Sequence, residues 1–385
     1  QGLQIYYFQP CRSMGCASTR QVLSANKSKV DGWTPSGSLA SSRSSAASKN
    51  GSSGGAPRGR MGRSNSICSV SSEMSLAQVA AGHGGVSILR FVDADDEDPD
   101  FPKCVMKVYD EREATVYKEL ADTDDQLRPF AAEFHGEVDE NDIPQDLQGS
   151  RYMKLTNLLR NHGKNPHVMD CKLGIRSYVE DEILSKKSRP DLYMRMMKID
   201  STAPTDDEHE QQAITKHRWM SFNDSVTTTS TLGVRIDGIS NSEGSVPKST
   251  LSRLKNVSDM AKCIVEHFFD GNDREDCKAA AATLLDSLRN IKEAFVASAF
   301  ARRHSFVGMS FLFIVEQYGP SAAVHFIDFA KTLPLPPGIS VDHKSAWSPG
   351  NHEDGILLGI DNLILCWEQA AEQLDKEQTE SDFEI

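Results

Sequence analysis

With 385 residues and a net charge of −13, the chain is long enough for one large domain or two lobes, and its eight cysteines include no C-x-x-C pair and no histidine at metal-ligand spacing. This excludes a zinc site or a disulfide framework as the organising device and fits a reducing compartment. The charge is uneven: residues 1–70 are basic with Asp31 as their one acid and the remainder is acidic, which argues against nucleic acid as a partner but leaves room for a local cation cluster around a small anion.

Residues 1–74 are rich in Ser, Gly and Ala and poor in large apolar side chains, so burial there would not offset the entropy of ordering, and a disordered basic tail is expected. Within it, Arg63-Ser64-Asn65-Ser66 reads either as a basophilic phosphorylation site or as ordinary polar chain. Met14-Gly15-Cys16-Ala17-Ser18-Thr19 fits the M-G-x-x-x-[ST] acylation pattern, with Cys16 beside the glycine. If Met14 is a translation start, acylation plus the basic tail would supply the two signals that peripheral membrane contact requires; a chance match is the other reading. No apolar run approaches a membrane span and the first residues lack the order of a secretory signal, so a cytoplasmic chain is expected, membrane-associated if Gly15 is acylated.

From residue 75 to about 160 a first lobe is expected. Gln78–Leu89 contains the glycine-rich turn Gly82-His83-Gly84-Gly85 and then alternating apolar residues of a strand. An acidic loop (Asp93–Asp100), a strand (Lys103–Tyr109), a helix (Glu111–Leu120) and strands at Arg128–Glu137 and Arg151–Leu155 follow. The second lobe, 161–385, is mostly helical: Ser177–Ser185, Leu192–Lys198 and Asp206–Thr215, a polar loop at Ser240–Thr250, then Val257–Phe269 and Arg274–Phe300. Strands at Val307–Glu316 and Ala323–Phe329 and a helix at Asp354–Leu374 close it.

The sharpest motif is Pro166-His167-Val168-Met169-Asp170-Cys171-Lys172-Leu173-Gly174. On an extended segment Asp170 and Lys172 face the same side. That pairing suits phosphoryl transfer, the carboxylate accepting a hydroxyl proton while the ammonium steadies the moving phosphoryl group. A salt-bridged strand end has the same spacing, and spacing alone leaves both readings open.

These nine residues resemble the P-x-x-x-D-x-K-x-G signature of the inositol polyphosphate kinase family, and Val168–Lys172 looks like its trisphosphate 3-kinase branch. Further blocks fall in the family's order: Thr215–Met220, Thr231–Gly238, Ser310–Phe313, Ile327–Thr332 and Asp354-Gly355. The resemblance covers about Gln78 to Leu374. It implies a two-lobed α+β fold with a protein-kinase-like ATP site, to which the strand, turn, strand, helix order of the first lobe corresponds, and a helical inositol-binding insertion at about 177–222. The activity implied is ATP-dependent phosphorylation of inositol 1,4,5-trisphosphate at the 3-hydroxyl. The rivals are a multikinase or hexakisphosphate kinase of the same family and a non-catalytic ligand-binding scaffold. The blocks around Lys216 and Arg235 and the Val257–Phe300 helices favour the 3-kinase over the first, and intact Asp170, Lys172 and Asp328 favour it over the second.

Residue by residue, the resemblance implies that Asp170 orients or deprotonates the attacking hydroxyl and that Lys172 contacts both substrate and transferring phosphate. Lys107 would hold the ATP α/β-phosphates, Gly84 and Gly85 would cover them, and Met153, Leu155 and Asn157 would line the hinge against adenine and ribose. Asp328, with Ser310 beside it, would hold Mg²⁺. Arg189, Lys216, Arg218 and Lys331 would hold substrate phosphates. Three departures stand out: Phe222-Asn223-Asp224 replaces Trp-Arg-Glu, Ser240 replaces a lysine and Trp219 replaces a tyrosine. The first two bear on substrate affinity and isomer preference. Calmodulin is a partner of many such 3-kinases and stays a candidate here, although the tail shows no basic amphipathic helix with large anchors and Trp33 is isolated.

Overall fold

Asp110 begins the first helix by accepting the backbone N–H groups of Arg112 and Glu113 at 3.0 Å each, and Glu111 and Glu113 complement the positive end of the helix dipole. This is the local pattern of a computed structural model that describes residues 88–91, 102–143, 145 and 147–381. The 1–74 tail, with Met14, Gly15, Cys16 and Arg63–Ser66, and the Gly82–Gly85 turn, with Gly84 and Gly85, lie outside the described residues.

In chain order the first elements are β1 (Ile88–Phe91), β2 (Cys104–Val108), α1 (Glu111–Asp122), β3 (Phe134–Glu137) and β4 (Tyr152–Thr156). Among the described residues these strands form one antiparallel sheet in the order β1-β2-β4-β3. The expected strand Arg128–Glu137 is shorter: Arg128–Phe130 is a single 3₁₀ turn with Pro129 in its first positions, where the fixed φ of proline suits a helical turn and its missing N–H would break a ladder.

The second part begins with β5 (His167–Leu173), every residue of which is buried. Five helices follow: α2 (Glu180–Ile183), α3 (Pro190–Ile199), α4 (Asp206–Gln211), α5 (Lys216–Val226) and α6 (Thr229–Leu232). The helix expected over Asp206–Thr215 stops early because Gln212 turns left-handed at φ 48°. Thr215 then caps α5, its hydroxyl accepting the Arg218 N–H at 3.1 Å. Next come β6 (Val234–Asn241), β7 (Gly244–Ser245), α7 (Lys248–Leu251) and α8 (Val257–Cys263), so the expected polar loop Ser240–Thr250 is a tight hairpin and a helical turn. A π turn (Ile264–Phe268) leads to α9 (Arg274–Ala297), and β8 (His304–Phe306), β9 (Ser310–Val315), β10 (Ala322–Ile327), β11 (Thr332–Pro334) and α10 (Ile356–Ser381) complete the order. Asp354 is not the first residue of that last helix. It is fully buried, with its carboxylate accepting the N–H groups of Phe306 and Ile356.

The described strands of this part pair as β10-β9-β5-β6-β7, with a separate β8-β11 pair. Helices α8, α9 and α10 cover one face of the larger sheet, and Trp367, Phe268, Phe295, Phe311, Phe313 and Phe326 fill the space between. The same core runs on into α1, where Tyr117 meets Phe329 edge-on with centroids 5.2 Å apart. The two sheets therefore share one hydrophobic interior. No helix among the described residues is long and apolar enough to cross a membrane.

Candidate active site

Alternation along β5 sends its two faces to different places. Met169, Cys171 and Leu173 enter the helix-covered core, while Asp170 and Lys172 share the opposite face. Cross-strand register extends that face: Lys172 stands opposite Ser310 on β9 and Arg235 on β6, and Ser310 stands opposite Ile327, the residue before Asp328. Segments 138 residues apart in sequence are thereby joined. Gly174 fixes the end of the strand: it lies at φ 96°, and a Cβ there would sit 2.8 Å from the Asp354 carbonyl oxygen. That contact explains why the signature ends in glycine and why the distant Asp354-Gly355 block accompanies it.

A cleft of about 550 Å³ opens over this face. One group of lining residues is Lys107, Glu113 and Asp328. Lys107 Nζ donates to Glu113 Oε1 at 2.8 Å and to Asp328 Oδ1 at 2.7 Å, tying β2, α1 and the end of β10 together. Burial pulls the Lys107 ammonium down, but Asp328 and Glu113 more than offset this and hold it above its ordinary value. Burial also raises the Glu113 carboxyl, against the pull of Lys107.

A second group comprises Arg189, Lys216, Arg235 and Lys331, with Trp219 and Asn223. Lys331 Nζ donates to the Ser177 carbonyl at 3.1 Å and to Glu182 Oε2 at 2.8 Å, and Lys216 Nζ reaches the other oxygen of Glu182 at 2.6 Å. Burial lowers Lys331, Glu182 raises it, and the neighbouring Lys216 and Lys172 lower it again; the net shift is downward. Two residues apart on β6, where the register with β5 skips Asp237, Arg235 Nε donates to Asp237 Oδ1 at 3.0 Å; burial pushes the Asp237 carboxyl up, but Arg235, Lys248 and Lys172 hold it below the usual carboxylate range.

Asp170 and Lys172 link the two groups. Lys172 lines the cleft, and its Nζ donates to the Gly308 carbonyl at 3.1 Å and to Ser310 Oγ at 3.4 Å. Asp170 lies just beneath, 1% exposed, and its Oδ1 has no hydrogen-bond partner. Burial pushes its carboxyl up from 3.8 to about 7; Lys172 opposes the shift, Asp237 and Asp328 add to it, and the Ser310 hydroxyl opposes it.

Of the sequence-derived candidates, Lys107, Lys172, Arg189, Lys216, Asp328 and Lys331 line this one cleft, with Asp170 and Ser310 on the sheet face below it. Others are elsewhere. Arg218 donates to Glu208 at 3.0 Å and to the Ala203 carbonyl at 2.6 Å, because its place on α5 turns it toward α4, and it does not line the cleft. Met153 and Leu155 are buried in the shared core, and Asn157 is committed to the Pro102 carbonyl and the Leu159 N–H, at 2.9 and 3.1 Å, as a loop brace. Of the three departures, Asn223 and Trp219 line the cleft, Asp224 is buried on Ser177 and Arg235, and Ser240 is buried opposite Val168. Sequence reading missed Glu113 and Glu182. The Glu113 signal was available, an acid on the helix directly after the Lys107 strand, whereas nothing local marks Glu182 among the acids of α2.

The model of the family described as inositol polyphosphate kinase matches residues 152–368. Inositol-trisphosphate 3-kinase A of Homo sapiens is 38% identical over 244 residues, which are 62% of this chain and 50% of that protein. The inositol-trisphosphate 3-kinase homolog of Caenorhabditis elegans is 31% identical over 262 residues, 68% of this chain and 50% of that protein. The chain thus spans half the length of these two relatives. Among solved structures, the inositol phosphate multikinase of S. cerevisiae in complex with ADP and Mn²⁺ aligns with a TM-score of 0.45 at 17% identity, covering 69% of this chain and 98% of that one.

Proposed function

Because the chain belongs to the inositol polyphosphate kinase family, we propose that it transfers the γ-phosphoryl group of ATP to the 3-hydroxyl of inositol 1,4,5-trisphosphate, giving inositol 1,3,4,5-tetrakisphosphate. The names of the relatives support the branch. The observation that carries the reading is the meeting, in one cleft, of two lysine-bearing groups around the buried Asp170, one built on Lys107 with Glu113 and Asp328 and one on Arg189, Lys216, Arg235 and Lys331. Two polyanionic reactants brought together need two such groups and a shared proton acceptor.

In this reading Asp170 orients the attacking hydroxyl and accepts its proton; a carboxyl balanced near neutrality suits that task. Lys172 keeps an ammonium proton beyond its bonds to Gly308 and Ser310 for the phosphoryl group in transit. Lys107, held by Glu113 and Asp328, anchors the nucleotide phosphates, and Lys216, Lys331 and Arg189 hold those of the inositol. The Asp328 carboxylate and the Ser310 hydroxyl, brought near each other by the pairing of Ser310 with Ile327, are oxygen donors of the kind Mg²⁺ takes, and these two would hold it. When bound, the metal neutralises charge on the ATP phosphates.

Incubation of the full chain with ATP, Mg²⁺ and inositol 1,4,5-trisphosphate, with the product identified against isomer standards, tests the proposal. The 1,3,4,5-isomer is expected. Another isomer, or faster turnover of more phosphorylated inositols, would favour a multikinase or hexakisphosphate kinase, and ligand binding without ADP release would favour a scaffold. Membrane contact through acylated Gly15 is a separate proposal resting on the motif at Met14–Thr19. Intact-mass measurement of the native amino terminus tests it, and an unmodified terminus upstream of Met14 ends it.

A further inference from the structure

The geometry points to Glu182 as a specificity-determining residue of the substrate cleft: its carboxylate limits how many phosphate groups the Lys216 and Lys331 ammonium pair accepts. The inference rests on the kinase reading above. Glu182 is the one acid of α2 bonded to cleft lysines, and each of its oxygens is committed: Oε1 accepts Lys216 Nζ at 2.6 Å, and Oε2 accepts Lys331 Nζ at 2.8 Å and the Val179 N–H at 3.0 Å. The two lysines come from different elements, one from the first turn of α5 and one from the segment after β10, with 115 residues between their numbers on the chain (331 − 216). Without a carboxylate between them their charges, together with that of Lys172, would drive the ammonium groups apart.

Three consequences follow from that arrangement. The Val179 bond ties the carboxylate to the backbone, so it is a fixed counter-charge and not a passing contact. Its side chain is 18% exposed, so the field it adds to the cleft is only partly screened by water. Although burial pushes the carboxyl up, the bonds from Lys216, Lys331 and Val179 hold it down at about 2, so it is ionised near neutral pH. A fixed negative charge beside a phosphate site favours ligands with fewer phosphates over ligands with more, because each added phosphate group is repelled while the attraction of the lysines is already partly used.

The test is a comparison of wild type, Glu182→Gln and Glu182→Asp across a series of inositol bis-, tris- and tetrakisphosphates, measuring kcat/KM with ATP and Mg²⁺ and affinity by calorimetry. Gln keeps the shape and an acceptor for lysine but removes the charge, so the preference is expected to move toward more phosphorylated ligands by about tenfold per added phosphate, with Asp close to wild type. Should Glu182→Gln fail to fold alone, the double variant Glu182→Gln, Lys216→Gln, which removes both charges of one bond, carries the test: compared with Lys216→Gln its preference is expected to lie further toward the more phosphorylated ligands, and an unchanged ranking overturns the inference. A merely structural Glu182 would lower activity on all ligands alike and leave their ranking unchanged, and that result overturns the inference. A wild type that converts the trisphosphate while the Gln variant shows the same ranking contradicts only the role of Glu182. A wild type that binds none of the series contradicts the kinase reading and this inference together.

Discussion

The two faces of β5 show what one strand can do twice. Toward α9 and α10 it presents Met169, Cys171 and Leu173, which pack with Phe311 and Phe313 and need nothing but apolar neighbours. Toward the cleft it presents Asp170 and Lys172, equally buried, with a carboxylate oxygen left unpartnered. Similar burial on the first face stabilises, while on the second it raises a proton affinity. The strand can carry that poorly satisfied acid because the apolar face opposite holds it in place, and β6 and β9 pin it from both sides. In the proposed mechanism stability and reactivity are divided by a period of two residues.

Breaking the reactive face is expected to have the largest effect. Asp170→Asn should lower kcat by about a thousandfold, since a positioned base contributes on that scale. It should not unfold the protein. A carboxyl raised from 3.8 to about 7 contributes stability that is fully present below 3.8 and lost as pH rises through about 7. Asparagine has no ionised form to disfavour, so at pH 8 the Tm of the variant should equal or exceed that of wild type, as thermal melts would reveal. Breaking the packing face should do the reverse: Phe311→Ala should cost about 3 kcal/mol in denaturant unfolding through the cavity it leaves. The smallest effect belongs to Glu113, the brace of Lys107. Glu113→Gln should raise KM for ATP about tenfold with kcat nearly unchanged, because a charge-assisted hydrogen bond of this kind is worth about 1.5 kcal/mol. A fall in kcat with KM constant would place Glu113 in another role.

The division of β5 was legible in the sequence because alternation needs only neighbouring residues. So were the start of α1 at Glu111, the long helix α9 and the basic composition near Arg189 and Lys216. β6 was harder to read: Val234–Asn241 carries Arg235, Asp237 and Gly238, whose polar side chains and bulge break the apolar alternation by which strands are recognised. The Thr215 cap was present but masked by the acidic helical run before it, which Gln212 ends by a backbone turn open to any residue able to go left-handed. Arg218 looked like a phosphate ligand from its neighbours in the block, and only the packing of α5 on α4 shows it bonded to Glu208. Glu182 owes its importance to lysines reached through the fold, as Lys107 does to Asp328. The bond of Lys107 to Asp328 spans 221 residues, and that of Glu182 to Lys331 spans 149. Periodicity gives the direction of a side chain along its own element and says nothing of which distant residue it meets.

The most direct test of the central claim, that the buried Asp170 is the proton acceptor of a phosphoryl-transfer cleft, is the pH dependence of kcat/KM for inositol 1,4,5-trisphosphate. Burial raises this carboxyl from 3.8 to about 7, and only its ionised form accepts a proton. Activity is therefore expected to rise with pH through a midpoint near 7 and level off above it, and the residual activity of Asp170→Asn should lack that limb. A profile flat across this range in wild type, or the same rising limb in the asparagine variant, would contradict the account.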